Sequence, residues 1–96
     1  MDENIAADKC LWHARISDGL RDSILQFLQY KFGVPKRVSE LGLVYYSFSF
    51  ADRLVAQVCI VLECESTWVN VLKAFNSELF DILSADFELI ITPKNN

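Results

Sequence analysis

One histidine, His13, is all the imidazole this 96-residue chain possesses. A histidine pair for metal binding or for an acid–base relay is therefore impossible. Cysteine is also scarce. Cys10, Cys59 and Cys64 are odd in number and show no CxxC spacing, so there is no zinc signature. Free, mostly buried thiols in a reducing compartment are the expectation. Positive charge is in the minority, with nine Lys and Arg against thirteen Asp and Glu and a formal net charge of −4. That balance disfavours a bare phosphate backbone, which needs a concentrated basic face. The nearest basic cluster is Lys31, Lys36 and Arg37, which reads either as a solvated helix end or as an anion site. Three glycines and two prolines are scattered, with no linker, repeat or low-complexity tract. A single domain over residues 1–96 is expected. Met1-Asp2-Glu3-Asn4 offers neither a basic n-region nor an apolar h-region, so no secretory signal is expected and the cytoplasm is the default location.

Apolar residues are abundant, at 52% of the chain. They concentrate between Leu41 and Glu65, where two β-branched and aromatic runs, Leu41–Phe50 and Leu54–Cys64, flank Ala51-Asp52-Arg53. This is the pattern of a hairpin. The run is long enough to raise a membrane span, but Asp52 and Arg53 near its middle would be costly in hydrocarbon, and no membrane association is expected. Alternation puts Val44, Tyr46, Phe48 and Phe50 on one face, with Leu54, Ala56, Val58, Ile60 and Leu62 on the matching face of the partner. These rows are the expected core.

Elsewhere the pattern changes period. Lys9–Ile16 alternates as a half-buried strand, with Cys10, Trp12, Ala14 and Ile16 on one face. Ser17 is a good N-cap with Asp18 in the first turn, and Leu20, Ile24, Phe27, Leu28 and Phe32 follow at helical spacing. Gly33 and Pro35 close that helix. Ser66 or Thr67 caps a second one, with Trp68, Leu72, Phe75, Leu79, Ile82 and Leu83 as its buried stripe and Asn70, Lys73, Ser77 and Asp81 on the wet face. A last strand is expected over Asp86–Thr92. The order β-α-β-β-α-β implies an α+β ferredoxin-like sandwich, an antiparallel four-stranded sheet in spatial order 4-1-3-2 with two helices on one face.

The stock of catalytic groups is thin. The expected strand order permits His13 and Cys59 to share the open face near Tyr45, and an imidazole beside a thiol can make a nucleophile. No nucleophile elbow or oxyanion hole accompanies them, and buried packing explains a cysteine as well. Glu63 with Glu65, and Asp86 with Glu88, lack the oxygen-ligand spacing of a cation loop. No metal or cofactor is expected, and no enzymatic activity. The strand Leu54–Ile60 has no aromatic or basic residue inside it, so an RNA-binding platform with Tyr45 alone is not expected.

The turn Ile16-Ser17-Asp18-Gly19-Leu20 is the best candidate for a ligand. Asp18-Gly19-Leu20, within this element order, resembles the Asp-x-Pro-Gly-like turn of the ACT-type regulatory domains, without its proline. That resemblance implies a ferredoxin-like module binding an amino acid through Asp18, Gly19 and Leu20, usually at a dimer interface. The same residues also suffice as a plain helix start. The open sheet face is expected to expose Leu11, Leu43, Tyr45, Val55, Cys59, Val61 and Ile90, an apolar patch suited to isologous pairing with a second copy. The leading expectation is thus a self-associating, non-enzymatic interaction domain. An amino-acid sensor and a Cys59–His13 enzyme stand as alternatives.

Overall fold

The computed structural model describes residues 11–72 and 77–94. Its elements run β1 (Leu11–Ile16), α1 (Asp18–Phe32), β2 (Lys36–Glu40), β3 (Leu43–Phe50), β4 (Arg53–Val61), β5 (Ser66–Leu72), α2 (Ser77–Ala85) and β6 (Thr92–Pro93). The strands form one six-stranded sheet in the order β2-β3-β4-β5-β1-β6, with every pair antiparallel. The protein is α+β. It is not the four-stranded ferredoxin-like sandwich that the sequence pattern implied, because both strand number and order differ.

The first helix forms where the pattern places it. Ser17 is extended (φ −69°, ψ 156°), and its carbonyl accepts the N–H groups of Leu20 and Arg21 at 3.0 and 3.2 Å. Its hydroxyl makes no capping hydrogen bond. Gly33, at φ 92°, ends the helix in a conformation that L side chains rarely adopt, and donates its N–H to Gln29 O at 2.8 Å. Strands β1 and β2 are parallel to each other but lie four inter-strand steps apart. That is ~19 Å at the usual spacing, and a 15-residue helix is ~22 Å long. Helix α1 is therefore long enough to carry the chain across the sheet, and it buries Ile24 and Leu28 there.

Three elements correct the sequence pattern. Residues 66–72 are a strand, not the start of a helix. Thr67, Val69 and Val71 alternate with Trp68, Asn70 and Leu72, and β-branched side chains suit the pleat. Trp68, Leu72, Leu79 and Leu83 mimic helical spacing only because the strand is buried on both faces and a short true helix, α2, follows it. Lys73 and Phe75, part of the expected helix, lie outside the described residues, as does Cys10. Residues 36–40 form an edge strand, although Lys36 and Arg37 with Lys31 suggest a solvated helix end or an anion site. The expected Asp86–Thr92 strand reduces to Thr92–Pro93, which pair with His13 and Trp12, while Glu88 at φ 55° breaks the extended run.

A register shift in the β3–β4 pair makes the fourth correction. Phe48 faces Ala56 but Ser49 faces Leu54, which leaves Val55 as the extra residue. Val55 consequently joins the main core, and Leu54 packs against Leu11 and Leu72 on the other face. Strict alternation had these two the other way round. Phe50 and Leu62, expected in the core, are exposed beside the turns.

Ala14, Ile16, Phe48, Ala56, Val58, Val69 and Val71 from the sheet meet Ile24 and Leu28 of α1 and Leu79 and Leu83 of α2. Both helices therefore cover one face. Trp12 meets Phe80 edge-on at 5.3 Å, and Lys31 Nζ donates to Glu78 Oε1 at 2.7 Å, joining the end of α1 to the start of α2. That exposed ion pair holds the Glu78 carboxyl below its ordinary range.

Both tight hairpins use two-residue loops, Leu41-Gly42 and Ala51-Asp52, with positive φ at all four positions. Such loops suit the twist of the strands and prefer Asn-Gly. Leu41 is an expensive choice. At φ 51° it adopts a left-handed backbone, and its side chain is 97% exposed. Leu41→Asn is expected to raise unfolding stability by about 1 kcal/mol, as read from urea denaturation. A loss of stability would mean that the leucine makes a contact worth more than its backbone strain.

Candidate functional site

The face of the sheet opposite the helices is where the candidate residues gather. In-register pairing builds one row of Val38, Tyr45, Cys59, Trp68 and Arg15 across five strands. Beside it runs a polar row of Lys36, Ser47, Gln57, Asn70, His13 and Thr92. On the far side of the first row, Leu43 faces Val61.

The polar row is internally satisfied at its centre. Asn70 Nδ2 donates to Gln57 Oε1 at 3.5 Å, and Gln57 Nε2 donates to Ser47 Oγ at 3.3 Å. Gln57 and Asn70 are buried, so these bonds offset the loss of water. This row divides the face. On one side Leu11, Leu72 and Leu54 form a small buried cluster. On the other, Leu43, Tyr45, Cys59, Val61 and Trp68 are all half-buried, with Val38 exposed at the margin. A shallow groove lined by Val38, Glu40, Tyr45, Ser47 and Gln57 opens at this end.

Of the residues expected to form an association patch, Leu43, Tyr45, Cys59 and Val61 are brought together. Leu11 is on the same face but sealed within its cluster. Val55 is turned into the main core by the register shift, and Ile90 is exposed on the segment after α2, outside any strand. Sequence reasoning missed Trp68 and Val38. The alternation of Thr67, Val69 and Val71 was the available signal for Trp68, and the Leu41-Gly42 turn was the signal for a preceding strand holding Val38.

Asp18, Gly19 and Leu20 form the first turn of α1, with Asp18 and Gly19 exposed. A side chain built at Gly19 would meet nothing within 4 Å. Among the described residues no three His, Cys, Asp or Glu side chains converge as a metal site. Glu63 and Glu65 sit in the β4–β5 turn, and Asp86 and Glu88 follow α2; all four are exposed. The basic trio is dispersed, since Lys31 pairs with Glu78 while Arg37 lies 5.9 Å from the centre of the Tyr46 ring.

His13 and Cys59 share the open face without being strand neighbours. Strand β5 separates them, with Asn70 opposite His13 and Trp68 opposite Cys59. His13 stacks on the Trp68 ring at 5.0 Å with an interplanar angle of 18°. Partial burial, and then the charge of Lys94, lower the His13 pKa. Burial raises the Cys59 thiol, which Lys94 opposes, and burial followed by the Cys59 and Glu40 charges raises the Tyr45 phenol. Cys64 is the opposite case. It is exposed, 3.1 Å from Ser66 Oγ, and that hydrogen bond is the main cause of its lowered pKa.

No protein-family model, curated protein or solved structure matches the chain. Among the described residues no helix is long and apolar enough to cross a membrane.

Two measurements check these electrostatics. The imidazole of His13 is expected to titrate below its ordinary value of 6.5, by NMR, and Lys94→Ala is expected to move it upward. Because the folded pKa is the lower one, the unfolded chain binds the extra proton between the two values. Stability should therefore fall as pH drops through that window and recover above it. His13→Gln should remove this component, and an unchanged pH dependence would count against the assignment. In a Cys10→Ser background near neutral pH, iodoacetamide is expected to modify Cys64 well before Cys59. A Cys59 that reacts faster than an ordinary free thiol would revive a nucleophilic role.

Proposed function

We propose that this chain is a non-enzymatic interaction domain that associates with a second copy of itself through the open face of its sheet. The observation that carries the reading is the half-exposed block of Leu43, Tyr45, Cys59, Val61 and Trp68, edged by Val38, on a face that neither helix covers. An apolar surface of this kind, next to a core already filled on the opposite face, favours association. Two such faces stack about 10 Å apart, and a two-fold axis buries both patches at once. The buried polar row beside the block satisfies its own central amides, which lowers the desolvation cost of covering it.

The alternatives draw less support. A thiol enzyme needs an imidazole on Cys59, and the His13 ring is instead stacked on Trp68, one strand away. An amino-acid sensor at Asp18, Gly19 and Leu20 rests on the backbone of a helix start alone. The reading as a cytoplasmic protein draws support from Cys59 and Cys64, both free thiols.

Light scattering over a concentration series tests the leading reading. Tyr45→Lys, in the middle of the block, is expected to halve the solution mass while leaving the circular dichroism spectrum unchanged. If the mass is the same with and without that substitution, the face is not the interface.

A further inference from the structure

We infer that the outer edge of β2 pairs with the same edge of a second copy, antiparallel about Val38, to join two sheets into one. The inference uses the edge of the sheet and does not rest on the open-face reading.

Strand β2 is an edge strand whose five residues, Lys36-Arg37-Val38-Ser39-Glu40, are all exposed. A two-residue hairpin loop closes on a hydrogen-bonded pair, here Glu40 with Leu43. Hydrogen-bonded and non-hydrogen-bonded pairs alternate from there, so Glu40, Val38 and Lys36 aim their backbone groups at β3. Arg37 and Ser39 aim theirs outward. Among the described residues no strand pairs with these outward groups, and such a row is a template for another strand.

Sequence then selects the partner. Turned antiparallel about Val38, a second β2 sets Lys36 against Glu40 of the other copy, and Glu40 against Lys36. Val38 meets its own counterpart at the two-fold axis. Arg37 and Ser39 become the hydrogen-bonded pairs, giving four interchain backbone bonds with each outward group used once. Opposite charges directly across strands are favourable and like charges are not. Charge on an edge protects it when the paired register sets like signs opposite each other. Here the basic residues are at one end and the acid at the other, so reversal makes the edge complementary to itself. Arg37 directly faces a serine and its guanidinium is held over Tyr46. The two Arg37 side chains are only diagonal neighbours across the axis, farther apart than the directly opposed Lys36 and Glu40.

Exposed apolar side chains also lie in the chain that leads into this strand and in the strand itself. Tyr30 in the last turn of α1 is 90% exposed, Val34 in the link to β2 is 84% exposed, and Val38 itself is 37% exposed. The other edge of the sheet offers nothing comparable, since β6 has two residues and one is Pro93. Edge pairing also leaves both open faces free and continuous across the joint. If both surfaces are used, two joined sheets stack as a four-chain assembly.

A charge swap measured by light scattering decides the matter. Glu40→Lys sets like charges against each other at both ends of the joint and is expected to halve the mass at micromolar protein and moderate salt. Adding Lys36→Glu to the same chain restores opposite signs and is expected to restore the mass. Ser39→Pro removes an outward N–H without touching the ladder to β3, and it is expected to dissociate the joint as well. A wild-type monomer at every concentration overturns the inference. So does a Glu40→Lys chain of undiminished mass, or a double variant that stays dissociated. Tyr45→Lys distinguishes the two surfaces, because a mass lowered by Glu40→Lys but not by Tyr45→Lys assigns the contact to the edge alone.

Discussion

Strand β5 is held on both edges and packed on both faces, and the sheet has no continuity without it. Among the described residues its ladders to β4 and β1 are the only strand pairings that join the β2-β3-β4 meander to the β1–β6 pair. Thr67, Val69 and Val71 present one face to the core beneath the helices, while Trp68, Asn70 and Leu72 serve the other. Every one of those six except Trp68 is buried. Both the hydrophobic layer under the helices and the rows of the open face are in register because this strand fixes them.

That central position is also why the strand was hard to read. A strand wetted on one side announces itself by alternation, as Trp12, Ala14 and Ile16 do and as most of the Leu43–Val61 hairpin does. One covered on both sides loses the contrast and resembles a buried helix segment. Helix α1 was legible from end to end because a stripe, a dipole-matched Asp18 and a terminal Gly33 all agreed. The edge strand β2 carries no apolar row at all, so only its turn betrayed it. The exchange of Leu54 and Val55 was beyond any parity argument, since a bulge reverses parity without leaving a composition signal.

The candidate site was partly legible for the same reasons. Leu43, Tyr45, Cys59 and Val61 come from the well-read hairpin and do share a face. Trp68 completes that block and belongs to the strand mistaken for a helix. His13 and Cys59 were correctly placed on one face, yet their proximity depended on strand order. The insertion of β5 between them gave the imidazole a tryptophan to stack on instead of a thiol to deprotonate. Val38 and Tyr45 belong to a broad half-apolar face, and Lys36 and Glu40 to a narrow charged edge.

The connectivity of β1 bears on how the chain assembles. Leu11 is paired with Leu72, and Ile16 with Thr67, so β1 waits for β5, which is synthesised long after it. The four strands between Lys36 and Leu72 join their sequential neighbours through short turns and need only local encounters. Contacts of high sequence separation pay a larger loop-closure entropy and are slower to form. The hairpins can therefore organise first, with α1 swinging across them and β1 closing the sheet as a late event. Until residue 72 has left the ribosome, the apolar stripe of α1 and the inner face of β1 have no complete surface to rest on. Residues 11–32 therefore depend for much of their shelter from water on β5 and α2, which lie far away in sequence.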